Sequence, residues 1–336
     1  MSLWQSYRMR LRRKRLKIRA WRKHFRLRPV ADRTHRIRPG DVLLFSTFRD
    51  EYVRLPHFLK YYRDLGIAHF LMVDNDSSDG GREFLAGQED VSLWTTQASY
   101  KASRFGVDWL NWLQQRYGHG HWTLVVDPDE LFVYPFCDTR PIRALTDWLD
   151  TSQVRSFGTM LLDMYPKGRL EAQSYRPGQD PLEIASWFDP GNYMIDKNHF
   201  YGNLWIQGGP RARSFFADDP WQAPALNKIP LVLWDRRYAY LSSTHMLLPR
   251  GLNLTYDEWG GEKASGILLH VKFLDTFPQK AAEELTRRQH YSGSKEYRAY
   301  AENLDTDSEL WCKWSEKYIN WRQLEILGLM SKGNWA

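Results

Sequence analysis

Between Asp41 and Val126, short apolar runs alternate with stretches of helical period, and turn formers or carboxylates close several of the runs. Val42-Leu43-Leu44-Phe45 is the first run; Tyr52, Leu55, Leu59 and Tyr62 then mark one face of a helix that stops near Gly66. Phe70-Leu71-Met72-Val73 is the second, and it empties into Asp74-Asn75-Asp76-Ser77-Ser78-Asp79-Gly80-Gly81, all turn formers and carboxylates. Val91-Ser92-Leu93-Trp94 reads as a third strand, Phe105, Trp109, Trp112 and Leu113 as a helix face, and Trp122-Thr123-Leu124-Val125-Val126 as a fourth strand. Alternation of this kind predicts a mostly parallel sheet covered on both faces. Ligands of such sheets bind beyond the carboxyl ends of the strands.

Several classes of protein are excluded early. With 43% hydrophobic and 15% aromatic residues in 336, the chain can bury a sizeable core, as one large domain or two modest ones. Cys137 and Cys312 are too few for a disulfide framework or a cysteine zinc site, and they fit a reducing compartment. No stretch approaches the ~18 apolar residues that span a bilayer, and the basic opening lacks the apolar core of a secretory signal. Neither a G-x-G-x-x-G nor a G-x-x-x-x-G-K-[ST] motif occurs, so dinucleotide and P-loop readings fail.

Charge is distributed unevenly. Residues 1–38 carry 15 Lys/Arg and one acid, Asp32, whereas residues 39–336 carry 32 basic and 39 acidic groups. The net charge of +7 therefore belongs to the N-terminal segment, and the remainder is mildly acidic. That balance speaks against a specific nucleic-acid-binding surface in the body of the protein, which needs clustered cations. Within the segment, Trp4, Tyr7, Leu11, Ile18, Trp21 and Phe25 recur at spacings of three and four, with Lys14 the one break. As a helix this is an apolar stripe in a basic cylinder, suited to an anionic membrane surface through residues 1–28. Nonspecific RNA contact and a transit peptide are the alternatives.

Three D-x-D triplets occur: Asp74-Asn75-Asp76, Asp127-Pro128-Asp129 and Asp305-Thr306-Asp307. The third lies in a polar gap and reads as a cap or a solvated turn. The first two follow apolar runs directly, and in Asp127-Pro128-Asp129-Glu130 the proline ends ladder pairing and frees carboxylate oxygens for a ligand. Hard oxygen ligands suit Mn²⁺ or Mg²⁺, ions that share their shell with substrate phosphates.

These motifs together resemble a family. Phe48-Arg49-Asp50-Glu51, then Leu65-Gly66-Ile67, then Val73-Asp74-Asn75-Asp76-Ser77-Ser78-Asp79-Gly80, then Trp122 to Phe132 resemble a bacterial family 2-like glycosyltransferase over roughly residues 41–135. Gly208-Gly209, Leu226-Asn227-Lys228-Ile229-Pro230-Leu231 and Leu269-His270-Val271-Lys272-Phe273 extend the likeness to a subgroup of such enzymes. One departure is Asp50, where the family pattern usually has asparagine. The resemblance implies a GT-A fold, a nucleotide-diphosphate sugar donor, an inverting transfer and a divalent metal bridging the diphosphate. It implies Asp74 beside the base or ribose, and Asp127 and Asp129 facing the metal and the donor phosphates. Asp79 belongs to the same donor motif. Arg49, Lys101 and Arg104 are candidate cations for the phosphates, and His270, at the end of an apolar strand, is a candidate third metal ligand.

The remaining chain is less regular. Pro141 to Leu149 reads as a helix and Phe157-Gly158-Thr159-Met160-Leu161-Leu162-Asp163 as a strand ending in a carboxylate. Ile229 to Trp234 and Tyr238 to Leu241 read as a hairpin turning at Asp235-Arg236-Arg237, and Phe277 onward as helical. The aromatics from Trp187 to Trp221 suit an acceptor platform, and Trp311, Trp314, Trp321 and Tyr297 suit packing of the C-terminal region. An inverting transfer needs a base for the acceptor hydroxyl; Asp163 and His245 are the candidates, with Asp163 the first choice. The expected organisation is a basic segment 1–38, a nucleotide-sugar-binding α/β half 39–165, an acceptor-side α+β region 166–275 and C-terminal helices 276–336. The expected function is metal-dependent hexosyl transfer to a glycan or lipid-linked acceptor in surface polysaccharide synthesis, by a cytoplasmic enzyme peripheral to the inner membrane face. A basic-tailed nucleic-acid-binding protein and a metal-dependent nucleotidyltransferase or phosphoesterase are the rivals.

Overall fold

The computed structural model describes residues 2–257, 263–287, 300 and 309–336. Asp305-Thr306-Asp307 and Tyr297 lie outside the described residues. The fold is α/β and Rossmann-like, built on one nine-stranded sheet. In spatial order its strands are β1 (Arg28–Ala31), β4 (Val91–Thr95), β3 (His69–Asp74), β2 (Leu43–Phe48), β5 (Trp122–Val125), β11 (Asn227–Leu233), β7 (Ser156–Asp163), β14 (Gly266–His270) and β6 (Glu130–Val133). The block β4-β3-β2-β5 is parallel, as the alternating pattern predicts, and β7 and β14 are parallel to each other. β1, β11 and β6 run antiparallel to their neighbours, so the sheet as a whole is mixed.

Helices cover both faces. α2 (Leu55–Leu65) and α5 (Ile142–Thr151) pack Phe58, Leu59, Tyr62 and Leu145 on Leu44, Phe70 and Met72. α4 (Val107–Leu113) packs Trp109 and Leu113 on Leu43, Phe45, Leu71 and Val73 on the other side. Adjacent residues of one strand thus serve opposite cores, and this is why β2 and β3 are buried at every position and each carries an apolar run with no polar alternation. α2 ends at Gly66, whose φ of +98° lets Ile67 N–H reach Tyr62 C=O at 2.9 Å and close the last turn.

The second half of the chain adds to the same sheet. β11 was expected to form a hairpin with Tyr238–Leu241, but it lies between β5 and β7. Ile229, Leu231 and Val232 are buried on both of its faces, which only an interior strand allows. Its supposed partner, β12 (Ala239–Ser242), pairs instead with β13 (Met246–Leu248), while Asp235–Tyr238 does form the expected turn. Smaller pairs are β8 (Trp187–Phe188) with β15 (Glu316–Lys317), and β9 (Tyr193–Lys197) with β10 (Leu204–Gly208). β10 turns into α6 (Gly209–Phe215). The remaining helices among the described residues are α1 (Leu3–Lys23), α3 (Gly81–Ala86), α7 (Phe277–Arg287) and α8 (Trp321–Ile326).

The two rims of the sheet differ. At one, the exposed four-residue β1 is the edge strand, paired on its inner side with β4, Arg28 opposite Thr95. At the other, α2 supplies hydroxyls to β6: Tyr62 OH donates to Glu130 C=O at 2.7 Å and accepts from Phe132 N–H at 3.1 Å, and Tyr61 OH donates to Phe132 C=O at 2.8 Å. No helix among the described residues is long and apolar enough to cross a membrane.

Candidate functional site

The chain leaves β2 for β3 on one side, yet β5 lies on β2's other side. Strand order therefore reverses between β2 and β5, which is where open α/β sheets bind ligands. A cleft of about 730 Å³ opens there. Arg49, Asp50 and Glu51 reach it from the end of β2, and Asp127, Pro128, Asp129 and Glu130 from the segment joining β5 to β6. Because β11 is antiparallel, its first residues arrive at the same end and bring Lys228. His270 and Lys272 come from the exit of β14, Arg211 from α6 and His245 from the turn between β12 and β13.

These side chains form one charged network. The Asp127–Glu130 turn is closed twice, by Asp127 N–H to Glu130 Oε2 at 3.1 Å and Glu130 N–H to Asp127 C=O at 3.0 Å. Buried Lys228 donates to Asp127 Oδ2 at 3.1 Å and to Glu130 Oε1. In the register of β7 with β14, Asp163 sits beside His270, and His270 Nδ1 meets Asp163 Oδ1 at 2.6 Å. The other ring nitrogen, Nε2, lies 3.3 Å from Asp129 Oδ2. Arg211 Nε holds Asp163 Oδ2 at 2.7 Å. Arg54, also buried, pairs with Glu51 at 2.7 Å and donates to Val271 C=O at 3.4 Å.

The network sets the protonation states. Burial would lower the His270 imidazole, but Asp129 and Asp163 outweigh it and bring it up to about 8. Burial would likewise raise Asp129, yet His270, Arg54 and Lys272 hold it far below the ordinary carboxylate range. Asp163 is lowered too, since Arg211 and His270 overcome its burial. Burial, with Asp127 and Asp129 close by, pushes Glu130 up to about 7 against the pull of Lys228. Burial and Lys228 push His245 down to about 4, so it is neutral at pH 7. Its Nδ1 contacts Asn227 C=O, which can only accept; Nδ1 therefore carries the proton and Nε2 the lone pair.

The nominated residues divide into two groups. Arg49, Asp127, Asp129, His245 and His270 line the cleft. Asp163 adjoins it, but its side chain is 1% exposed and each oxygen is held by a buried cation, so it orients His270 and is closed off from an acceptor hydroxyl. Asp74, Asp79, Lys101 and Arg104 are not part of the cleft wall. Asp74 is fully buried and accepts from Ser77 N–H, Arg82 Nε and Thr95 Oγ1, which shapes the turn after β3. Asp79 clips two loops by accepting from Tyr52 N–H at 2.6 Å and Gly81 N–H at 3.0 Å. Arg104 reaches back to Tyr240 C=O at 3.0 Å, and Lys101 is exposed on a single turn. Lys228, Arg211 and Arg54 were not singled out from the sequence. A lone lysine opening an apolar strand is the one signal for Lys228, since a buried cation demands carboxylate partners.

Two carboxylates fit a divalent ion, and the third nominated ligand does not. Asp127 and Asp129 each have one oxygen on a cation, while their Oδ1 atoms take no hydrogen bond among the described residues. His270 has both ring nitrogens on carboxylates and is charged near neutral pH, so it positions Asp129. Among the described residues, no three His, Cys, Asp or Glu side chains converge to hold an ion unaided. An ion at Asp127 and Asp129 would complete its shell with substrate oxygens, as Mg²⁺ commonly does.

No protein-family model and no curated protein matches the chain. Among solved structures, 4-diphosphocytidyl-2C-methyl-D-erythritol synthase is similar at 17% identity and a TM-score of 0.25, over 43% of this chain and 68% of that one. A likeness that distant carries no argument about the site.

Proposed function

We propose that the protein is a metal-dependent glycosyltransferase that moves a hexosyl group from a nucleotide-diphosphate sugar to a glycan or lipid-linked acceptor in surface polysaccharide synthesis. The observation that carries this reading is the pairing of Asp127 and Asp129 with Arg49, Lys228 and Lys272 around one cleft at the strand-order reversal. Cations there suit a diphosphate, and the carboxylates of Asp127 and Asp129 suit its counter-ion. In the reaction, the acceptor hydroxyl oxygen bonds to the anomeric carbon as the bond from that carbon to the diphosphate oxygen breaks. The electron pair leaves with the nucleoside diphosphate, and the hydroxyl proton passes to a base. Mn²⁺ or Mg²⁺, when bound at Asp127 and Asp129, supplies Lewis-acid stabilisation of the departing diphosphate.

The chain's own residues do the rest. Arg49, held by Asn75 C=O at 3.1 Å, and Lys272 attract the donor phosphates. Lys228 and His270 fix Asp127 and Asp129 in place. Of the two candidate bases, His245 presents a lone pair at Nε2 on the cleft wall and takes the acceptor proton in this scheme. Attack from the face opposite the leaving group inverts the anomeric centre. Incubation with a panel of nucleotide sugars, with and without Mn²⁺, tests the proposal by the released product. Nucleoside diphosphate is expected, and Asp129→Asn is expected to abolish its release while the protein stays folded, at a lowered melting temperature because buried His270 loses one of its two carboxylates. Release of pyrophosphate or nucleoside monophosphate would replace this reading with nucleotidyl transfer or phosphoester hydrolysis. Turnover unchanged by excess chelator would remove the metal.

A further inference from the structure

Helix α1 has two apolar faces, and the body of the protein uses only one. Met9 and Leu16 are buried and seat on Ala239, Leu241 and Leu248 of the β12–β13 hairpin, and Ala20 is fully buried on the same side of the helix. Arg19 bonds Asp108 at 2.7 Å, and Arg12 donates to the Tyr201 hydroxyl, so the helix is fastened along its length. At ~100° per residue, Trp4, Tyr7, Ile18 and Trp21 fall roughly half a turn away from that seat. They are 66%, 52%, 52% and 50% exposed, and Phe25, just past the helix, is 68% exposed. Exposed cations border this file: Arg10 on one side, Arg8, Arg15 and Arg22 on the other, and Lys14 within it.

We propose that this outward face lies in the interface of an anionic lipid surface, with the rings at headgroup level and the flanking cations on lipid phosphates. Charge complementarity selects the partner and the orientation together. Residues 1–38 carry 15 Lys/Arg and one acid, whereas the rest of the chain carries 32 basic and 39 acidic groups, so an anionic surface draws α1 in and repels the body. A second copy is disfavoured as the occupant, because two such faces in register would bring like charges together. A nucleic acid would engage the cations but leave five large apolar side chains in water. The hairpin that seats α1 also lends Ser242, Ser243 and Met246 to the cleft wall. Docked this way, the cleft stands one helix and one hairpin from the lipid, on the order of 20 Å. The docking itself does not depend on the transferase reading.

The full-length protein is to be sedimented with vesicles of phosphatidylcholine alone and of phosphatidylcholine mixed with phosphatidylglycerol. Binding is expected only to the mixed vesicles, and it should weaken as salt rises and the Debye length shrinks from ~10 Å toward ~3 Å. Replacing Trp4, Trp21 and Phe25 by serine should reduce it about ten-fold or more. So should Arg8→Glu with Arg15→Glu and Arg22→Glu, and both variants should keep the parent's melting temperature. Equal binding to neutral vesicles, or undiminished binding by both variants, overturns the proposal. Salt-sensitive binding to RNA without vesicle binding overturns it in favour of a nucleic acid. A concentration-dependent dimer abolished by the serine variant overturns it in favour of self-association.

Discussion

Asp50 occupies a backbone position that either aspartate or asparagine would serve. Its φ is +49°, a conformation that aspartate and asparagine tolerate better than other side chains. Its Oδ1 accepts from Ser78 N–H at 2.7 Å, and either residue offers that oxygen. His270 illustrates a stronger constraint. Its pKa is raised from 6.5 to about 8, so its contribution to stability is fully present below pH 6.5 and lost as pH rises through 8. In chelator, the His270 share of stability should fall by about 2 kcal/mol between pH 6 and 9, and His270→Gln should remove that share of the slope. Denaturant titrations across the range decide it; equal slopes in both proteins would deny His270 the role. The carboxylates of the cleft were legible in the sequence because they follow apolar strands directly. The partnership of His270 with Asp163 was not, because it depends on the register of two strands far apart in the chain. Read singly, one residue suggested a metal ligand and the other a base.

At the scale of elements, the parallel block was visible because its strands are apolar throughout and its helices carry their own stop signals. β11 was visible as a strand but not as an interior one, since neighbours are chosen by long-range pairing that no local pattern encodes. β6 hid inside the Asp127–Phe132 motif, whose carboxylates drew attention from the four-residue strand that begins at Glu130. Its outward backbone groups depend on the Tyr62 hydroxyl, which serves Glu130 and Phe132 at once. Tyr62→Phe keeps the ring packed but orphans both groups, and it should cost about 1–3 kcal/mol. Urea unfolding of the variant provides the measurement, and a loss near zero would mean that water replaces the hydroxyl. The Gly208-Gly209 pair also acquires a reason. A Cβ at Gly208, where φ is +144°, would fall 2.2 Å from Asn192 C=O, so only glycine lets β10 turn directly into α6 and bring Arg211 to Asp163.

Across the whole molecule, the structure stitches the basic segment 1–38 into the fold. β1 follows α1 and joins the sheet beside β4, so residues 1–38 supply both a docked helix and a strand. Deleting residues 1–31 should therefore do more than release the protein from lipid. β4 would lose its outer partner and bare a row of unpaired N–H and C=O groups beside Val91 and Leu93. Light scattering should report growth of assemblies by the truncated protein under conditions where the serine variant of α1 stays dispersed. A truncated protein that stays equally dispersed would show that β1 does not guard this rim. In the intact chain, the outermost strand has four residues, one an arginine and one a proline without an N–H, and the opposite rim is sealed by two tyrosine hydroxyls. A sheet this apolar therefore presents little backbone at either margin on which a strand of another molecule could align.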